Sequence, residues 1–152
     1  MKPGGLTHGL ISLLDHIPGR RFAHSLPPHL QTGRRGERAA YFYLREQGYV
    51  IVARDYRSPL HRGDIDLIGW HDQMLRFIEV KTRTSRSVAS AEAAVDHAKQ
   101  RQLQSLARDF LRHLGSPCQW RFDVLSVYYL EKNHSPQFDL FQNAFPGEQT
   151  RY

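Results

Sequence analysis

Residues 63–81 read GDIDLIGWHDQMLRFIEVK, and this stretch decides the fold expected of the whole chain. Apolar and polar positions alternate as in a half-buried strand pair, with Ile65, Leu67 and Gly69 on one face and Asp64, Asp66, Ile68 and Trp70 on the other. After a turn, Leu75, Phe77, Glu79 and Lys81 alternate with Arg76, Ile78 and Val80. A loop centred on Asp72-Gln73, whether two or four residues long, sets Ile68 against Phe77, Asp66 against Glu79 and Asp64 against Lys81.

Opposed residues on neighbouring strands have Cβ atoms about 4.5–5.5 Å apart, and like charges facing each other there destabilise the pair. A hard divalent cation resolves the conflict between Asp66 and Glu79. Mg²⁺ takes oxygen ligands and is usually held by one or two carboxylates, with water and phosphate filling its other positions. A solvated ribbon with an ordinary Asp64–Lys81 ion pair would account for that pair and leave Asp66 facing Glu79 unexplained.

The flanks add charge. A chain of 152 residues suits one domain with tails. Lys and Arg number 21 against 15 Asp and Glu, a net charge of +6. Arg34, Arg35, Arg38, Arg54, Arg57, Arg62, Arg83 and Arg86 crowd the approaches to the motif, as a footprint for a phosphate backbone requires. The single cysteine, Cys118, excludes an intramolecular disulfide and a cysteine-based zinc cluster. Nine histidines show no HxxxH or HExxH spacing. No apolar run reaches the length of a membrane span, and Asp15 and His16 interrupt the weak apolar patch near the N-terminus, so a cytoplasmic protein without a membrane partner is expected.

Taken in order, residues 1–31 carry Gly4-Gly5, Pro18-Gly19 and Pro27-Pro28 and read as a flexible extension. A helix is expected from Thr32 or Gly33, with Thr32 as its cap, to Gly48. Glu37 lies on its inward side with Ala40, Tyr41 and Leu44, either as a capping carboxylate near the helix start or as a third acid reaching the hairpin. YVIVARDYR from Tyr49 is the first strand, and the hairpin supplies the next two. A second helix is expected from Ser90 to Leu114, stopped by Gly115 and Pro117. Lys99 falls inside its apolar stripe, either snorkelling to water or aimed at a phosphate. Trp120 to Leu130, apolar on both faces, is a buried strand parallel to the third, and Asp123 within it needs a partner. The aromatic stretch FDLFQNAF packs back onto the domain, which ends near residue 145 before a tail over 146–152.

Helix, three antiparallel strands, long helix and parallel strand make an α/β protein with an αβββαβ core, a mixed sheet flanked by helices. In that order, with Gly36-Glu37, Ala40 and Leu44, Gly48-Tyr49, Arg54 to Arg57, Gly63 to Ile68, Phe77 to Lys81 with Arg83, Lys99, Arg121 to Val124 and Asn143 to Phe145, the chain resembles the YraN family of bacterial proteins. That family is related to the PD-(D/E)XK nuclease superfamily, so the resemblance implies a restriction-endonuclease-like fold, close in layout to Holliday-junction resolvases and tRNA endonucleases. It covers about residues 33–145. Two positions depart from the wider pattern: Ile65 replaces the proline before the metal-binding Asp, and Asp64 stands where the family more often has Glu.

By resemblance, Asp66 and Glu79 would ligate Mg²⁺ or Mn²⁺ with help from the Val80 carbonyl. Lys81 would orient or deprotonate the attacking water, and Glu37 would act through a metal-held water or as a further ligand. Arg35, Arg57, Arg62, Arg83 and Lys99 are the expected nucleic-acid contacts. The function implied is metal-dependent phosphodiester hydrolysis in DNA, which is favoured over RNA, and branched or structured DNA would suit a two-fold homodimer. The alternatives are a non-catalytic nucleic-acid binder on the same fold and a module whose partner is a protein.

Overall fold

A computed structural model describes residues 27–86, 95–131 and 134–147. Most of the expected N-terminal extension, the first residues of the expected second helix and the end of the tail lie outside the described residues.

The central hairpin forms as its turn chemistry requires. β2 (His61–His71) returns as β3 (Met74–Arg83) through Asp72 and Gln73 alone, at φ 48° and 61°. Two left-handed residues make the turn whose twist matches the flanking strands. The register pairs Ile68 with Phe77 and Leu67 with Ile78. The ladder ends there, so Asp66 and Glu79 lie one step beyond its last pair.

β1 (Val50–Ser58) runs antiparallel to β2, β4 (Trp120–Tyr128) parallel to β3, and β5 (Gln137–Phe145) antiparallel to β4. The sheet order is β1-β2-β3-β4-β5. β4 is buried along most of its length, as its two-sided apolar sequence demands. FDLFQNAF is thus a fifth strand rather than a segment merely packed on the domain, and it extends the αβββαβ order of a restriction-endonuclease-like core.

One helix covers each face. α1 (Pro28–Glu46) lays Ala40 and Leu44, both fully buried, over Leu67, Ile78, Val80, Leu125 and Val127. It begins a turn earlier than expected, because Pro28 takes the first helical position, where its missing N–H costs nothing. Thr32 is therefore interior, and its hydroxyl donates to Pro28 O at 3.0 Å. Gly48, at φ 88°, follows the helix as the left-handed residue that ends it. Gly36 leaves no room for a Cβ against the Thr82 side chain, which brings the first half of α1 close over the end of β3.

α2 (His97–Leu114) packs Leu103, Leu106, Ala107 and Phe110 on the other face, against Ile65, Ile68, Phe77 and Phe122. It starts at His97 rather than Ser90. Val95 and Asp96 are not helical, and the Asp96 carboxylate caps the helix by accepting the Lys99 N–H at 2.8 Å.

The simple alternation expected of β2 fails at one place. Ile65 and Ile68 share the α2 face, while Leu67 lies on the α1 face. In β1, Tyr56, opposite Ile65, packs toward α2, whereas Arg54, opposite Leu67, sits over the Tyr41 ring of α1. Between them Asp55 takes φ 50°, and the faces exchange across Asp55 and Asp66. Asp is one of the few residue types that enter this conformation cheaply.

Candidate metal centre

Beyond Leu67 and Ile78 the two middle strands part, and the gap holds the acids. Asp66 turns its carboxylate into the opening and accepts the Val80 N–H through Oδ2 at 2.6 Å. Glu79, 5% exposed, faces α2. Lys81 Nζ lies 2.9 Å from Glu79 Oε1, and Lys99 Nζ lies 3.3 Å from Oε2 and 3.4 Å from the Asp64 carbonyl oxygen. Oε2 is buried without a directed hydrogen bond; the Lys99 contact satisfies its charge but not its geometry.

The placement of Lys99 follows from the cap. With Asp96 ending the loop, Lys99 is the third residue of α2, so its side chain starts at the end of the helix nearest the strand gap. The snorkelling alternative does not describe it, because its ammonium contacts Glu79 in a half-buried position.

Electrostatics mark the same spot. Burial first, then the Glu79 and Glu37 charges, push the Asp66 carboxyl up to about 8, against the opposing Val80 N–H and Lys99. Glu37, half-buried on α1, is also raised, by burial first and then by Asp55 and Asp64, against Arg34 and Arg54. Three carboxyl groups, Glu37, Asp66 and Glu79, thus share one region with the Lys81 and Lys99 ammonium groups. Among the described residues, however, no group of three or more His, Cys, Asp or Glu side chains is close enough together to enclose an ion. The arrangement is a two-carboxylate site, with the backbone of Val80 beside it.

An open slot of about 370 Å³ adjoins it on the α1 side, walled by His29, Thr32, Gly33 and Glu37 from the helix and by Val80, Lys81, Thr82 and Thr84 from the strand. Glu37 and Lys81 belong to both slot and acid gap.

The expected surface residues separate into two groups. Arg35 stacks over Tyr129 at 4.3 Å, and the Tyr129 hydroxyl donates to Arg35 O at 3.3 Å. Arg57, 74% exposed, pairs with Asp64 at 3.1 Å. Arg62 is exposed on β2, and Arg83 is half-buried at the end of β3. Of the five expected contacts, Lys99 is the one that reaches Glu79, and Arg57 reaches Asp64. The expected Asp64–Lys81 pair is replaced by Asp64–Arg57 and Lys81–Glu79, because the strands diverge before Asp64 and Lys81 can face each other. Asp55 was missed as a neighbour of Glu37. Its left-handed backbone has no sequence signal beyond its residue type.

Asp66 and Glu79 at parted strand ends, with Lys81 two residues on and a helix laid over each face of a mixed sheet, define a protein with a restriction-endonuclease-like core. The chain belongs to the Uncharacterised protein family UPF0102, whose model matches residues 36–127. It is 49% identical over 119 residues to a UPF0102 protein of Koribacter versatilis, covering 78% of this chain and 82% of that one. A UPF0102 protein of Solibacter usitatus is 41% identical over 116 residues, 74% and 84% of the two chains, and one of Caldicellulosiruptor saccharolyticus is 36% identical over 116 residues, 76% and 97%. The matched span holds every residue of the acid gap, Glu37 through Lys99.

Proposed function

We propose that this protein is a metal-dependent nuclease that hydrolyses phosphodiester bonds in DNA. The observation that carries the reading is the meeting of Asp66 and Glu79 in the strand gap, with Lys81 Nζ 2.9 Å from Glu79 and arginines on the surrounding surface. The donor set fits a hard cation. Both acids offer oxygen, the Asp66 carboxyl is held up by burial and by Glu79, and Glu79 Oε2 is buried with no hydrogen bond. Mg²⁺ or Mn²⁺ would be held by Asp66 and Glu79 with the Val80 carbonyl, and would supply Lewis-acid charge to phosphoryl oxygens and acidify a water.

The chain's own residues do the rest. Lys81 and Lys99 place two fixed ammonium charges where negative charge gathers on a phosphate in attack. Glu37, with its carboxyl raised, can hold or release a proton at the slot side of the gap. Arg35, Arg57, Arg62 and Arg83 bind the flanking backbone, and their positive charge steers it. Incubation of the purified chain with duplex, flap and four-way-junction DNA in Mg²⁺ or Mn²⁺ tests this. Cleavage that disappears in Asp66→Asn and Glu79→Gln is expected, and its absence from every substrate would sink the enzyme claim.

A second reading has one observation in its favour. Both Glu79 oxygens already have an ammonium partner, so the gap is partly neutralised by the protein itself. A binder that holds DNA without cutting it would use that arrangement, and it would show salt-sensitive binding with no turnover.

A further inference from the structure

The slot shares Glu37, Val80 and Lys81 with the acid gap and is walled beyond them by Thr32, Gly33, Thr82 and Thr84, which the reading above does not use. We propose that it receives a single unpaired nucleobase of the DNA, next to the phosphate that Lys81 contacts. This rests on the nucleic-acid reading above and goes beyond it by naming the kind of DNA bound.

Three features support the assignment. The slot's volume, about 370 Å³, is at the small end of ligand pockets and suits one flat heterocycle. Its walls mix donors and acceptors: the hydroxyls of Thr32, Thr82 and Thr84 can each do either, and Thr32 already spends its proton on Pro28 O, which leaves its lone pairs to accept. Glu37 contributes a carboxyl group to the wall, whose oxygens can accept from the amino group of a base edge. A neutral polar ring that can both donate and accept suits the threonine and carboxyl part of this wall, with Lys81 and His29 left to face its phosphate. Lys81 stands at the border between slot and gap, where the sugar–phosphate of that nucleotide would pass. A base stacked in a duplex cannot enter such a recess, so the nucleotide must be extrahelical or single-stranded.

Gly33 provides the test. It lies in a helix, and a side chain added there meets nothing within 4 Å, so a larger residue fills the slot without disturbing the core. Binding is measured without divalent cation to three DNAs: a perfect duplex, the same duplex with a one-nucleotide bulge, and the same bulge carrying an abasic site. The wild-type chain should bind the base-containing bulge about tenfold more tightly than the abasic one, the equivalent of one good base contact. Gly33→Leu should remove that ratio while keeping the affinity for the abasic bulge, Gly33→Ala should retain it, and Thr84→Trp, which blocks the slot from the strand wall, should behave like Gly33→Leu. Equal wild-type affinity for the two bulges, or a ratio that survives both blocking variants, would overturn the slot assignment while leaving duplex binding and the nuclease reading in place. Failure to bind any of the three DNAs would overturn both together.

Discussion

Two acids on the strands that flank β3 in this sheet, β2 and β4, have opposite surroundings. Asp123 on β4 is fully buried, and its partners are complete: Arg121 Nε lies 2.7 Å from Oδ1, Arg121 Nη2 donates to Oδ2 at 3.2 Å, and the Asn143 N–H donates to Oδ1 at 2.8 Å. Asp66 on β2 has one backbone N–H and two other carboxyl groups close enough to raise its proton affinity. A carboxylate that builds a fold is matched by donors, and one that awaits a ligand is crowded by its own kind. Asp123 therefore holds β4 to β5, whereas Asp66 with Glu79 is the pair we propose as the cation site.

Substitutions separate the two. Asp66→Asn should lower cation-dependent DNA cleavage about a thousandfold, the several kcal/mol that loss of a metal's charge on the phosphate represents, with the fold intact by circular dichroism. Asp123→Ala should do the reverse. It leaves the Arg121 guanidinium, 19% exposed, without its counter-ion, and should cost about 3–5 kcal/mol in urea unfolding. A destabilisation of that size in Asp66→Asn, or none in Asp123→Ala, would erase the distinction.

Metal-free protein should show the contrast as a pH dependence. Asp66 keeps its proton to about 8 when folded, whereas its unfolded carboxyl loses it near the ordinary value. Between those limits the native state holds more protons than the unfolded one, so stability is full at low pH and falls as pH rises from about 4 to about 8. The slope contributed by one such group cannot exceed about 1.4 kcal/mol per pH unit. Urea midpoints measured across this range should fall in the wild type and flatten in Asp66→Asn; identical profiles would contradict the crowding of Asp66. The smallest effect belongs to the rim. Arg57→Ala removes an exposed ion pair worth at most about 1 kcal/mol, so it should leave the melting temperature nearly unchanged and reduce the salt dependence of DNA binding by about one phosphate contact.

The parts of this contrast that could be read in the sequence were those governed by local rules. Asp72-Gln73 fixed the turn and with it the pairing of Ile68 with Phe77, so Asp66 and Glu79 could be placed near each other from spacing alone. The end of the ladder at Leu67 and Ile78 could not be read, and neither could the left-handed backbone of Asp55, a choice open to Asp but not dictated by it. Past the end of the ladder Asp64 pairs with Arg57 and Lys81 with Glu79. The start of α1 was obscured by reading Pro27-Pro28 as a breaker, although proline suits a first turn. The start of α2 had a signal in Asp96, whose cap sets Lys99 against the acids. Asp123 needed a partner by its position in an apolar strand, and its backbone donor, Asn143, comes from β5, which was not expected as a strand.

The central claim is that Asp66 and Glu79 together hold a divalent cation. Titration of metal-free protein with Mn²⁺, followed by electron paramagnetic resonance of the free ion, tests it directly when the wild type is set beside the Asp66→Asn, Glu79→Gln double variant. One ion bound per wild-type chain, with that binding abolished in the double variant and retained in Asp123→Asn, is the predicted result; no binding by the wild type, or equal binding by the double variant, would contradict it.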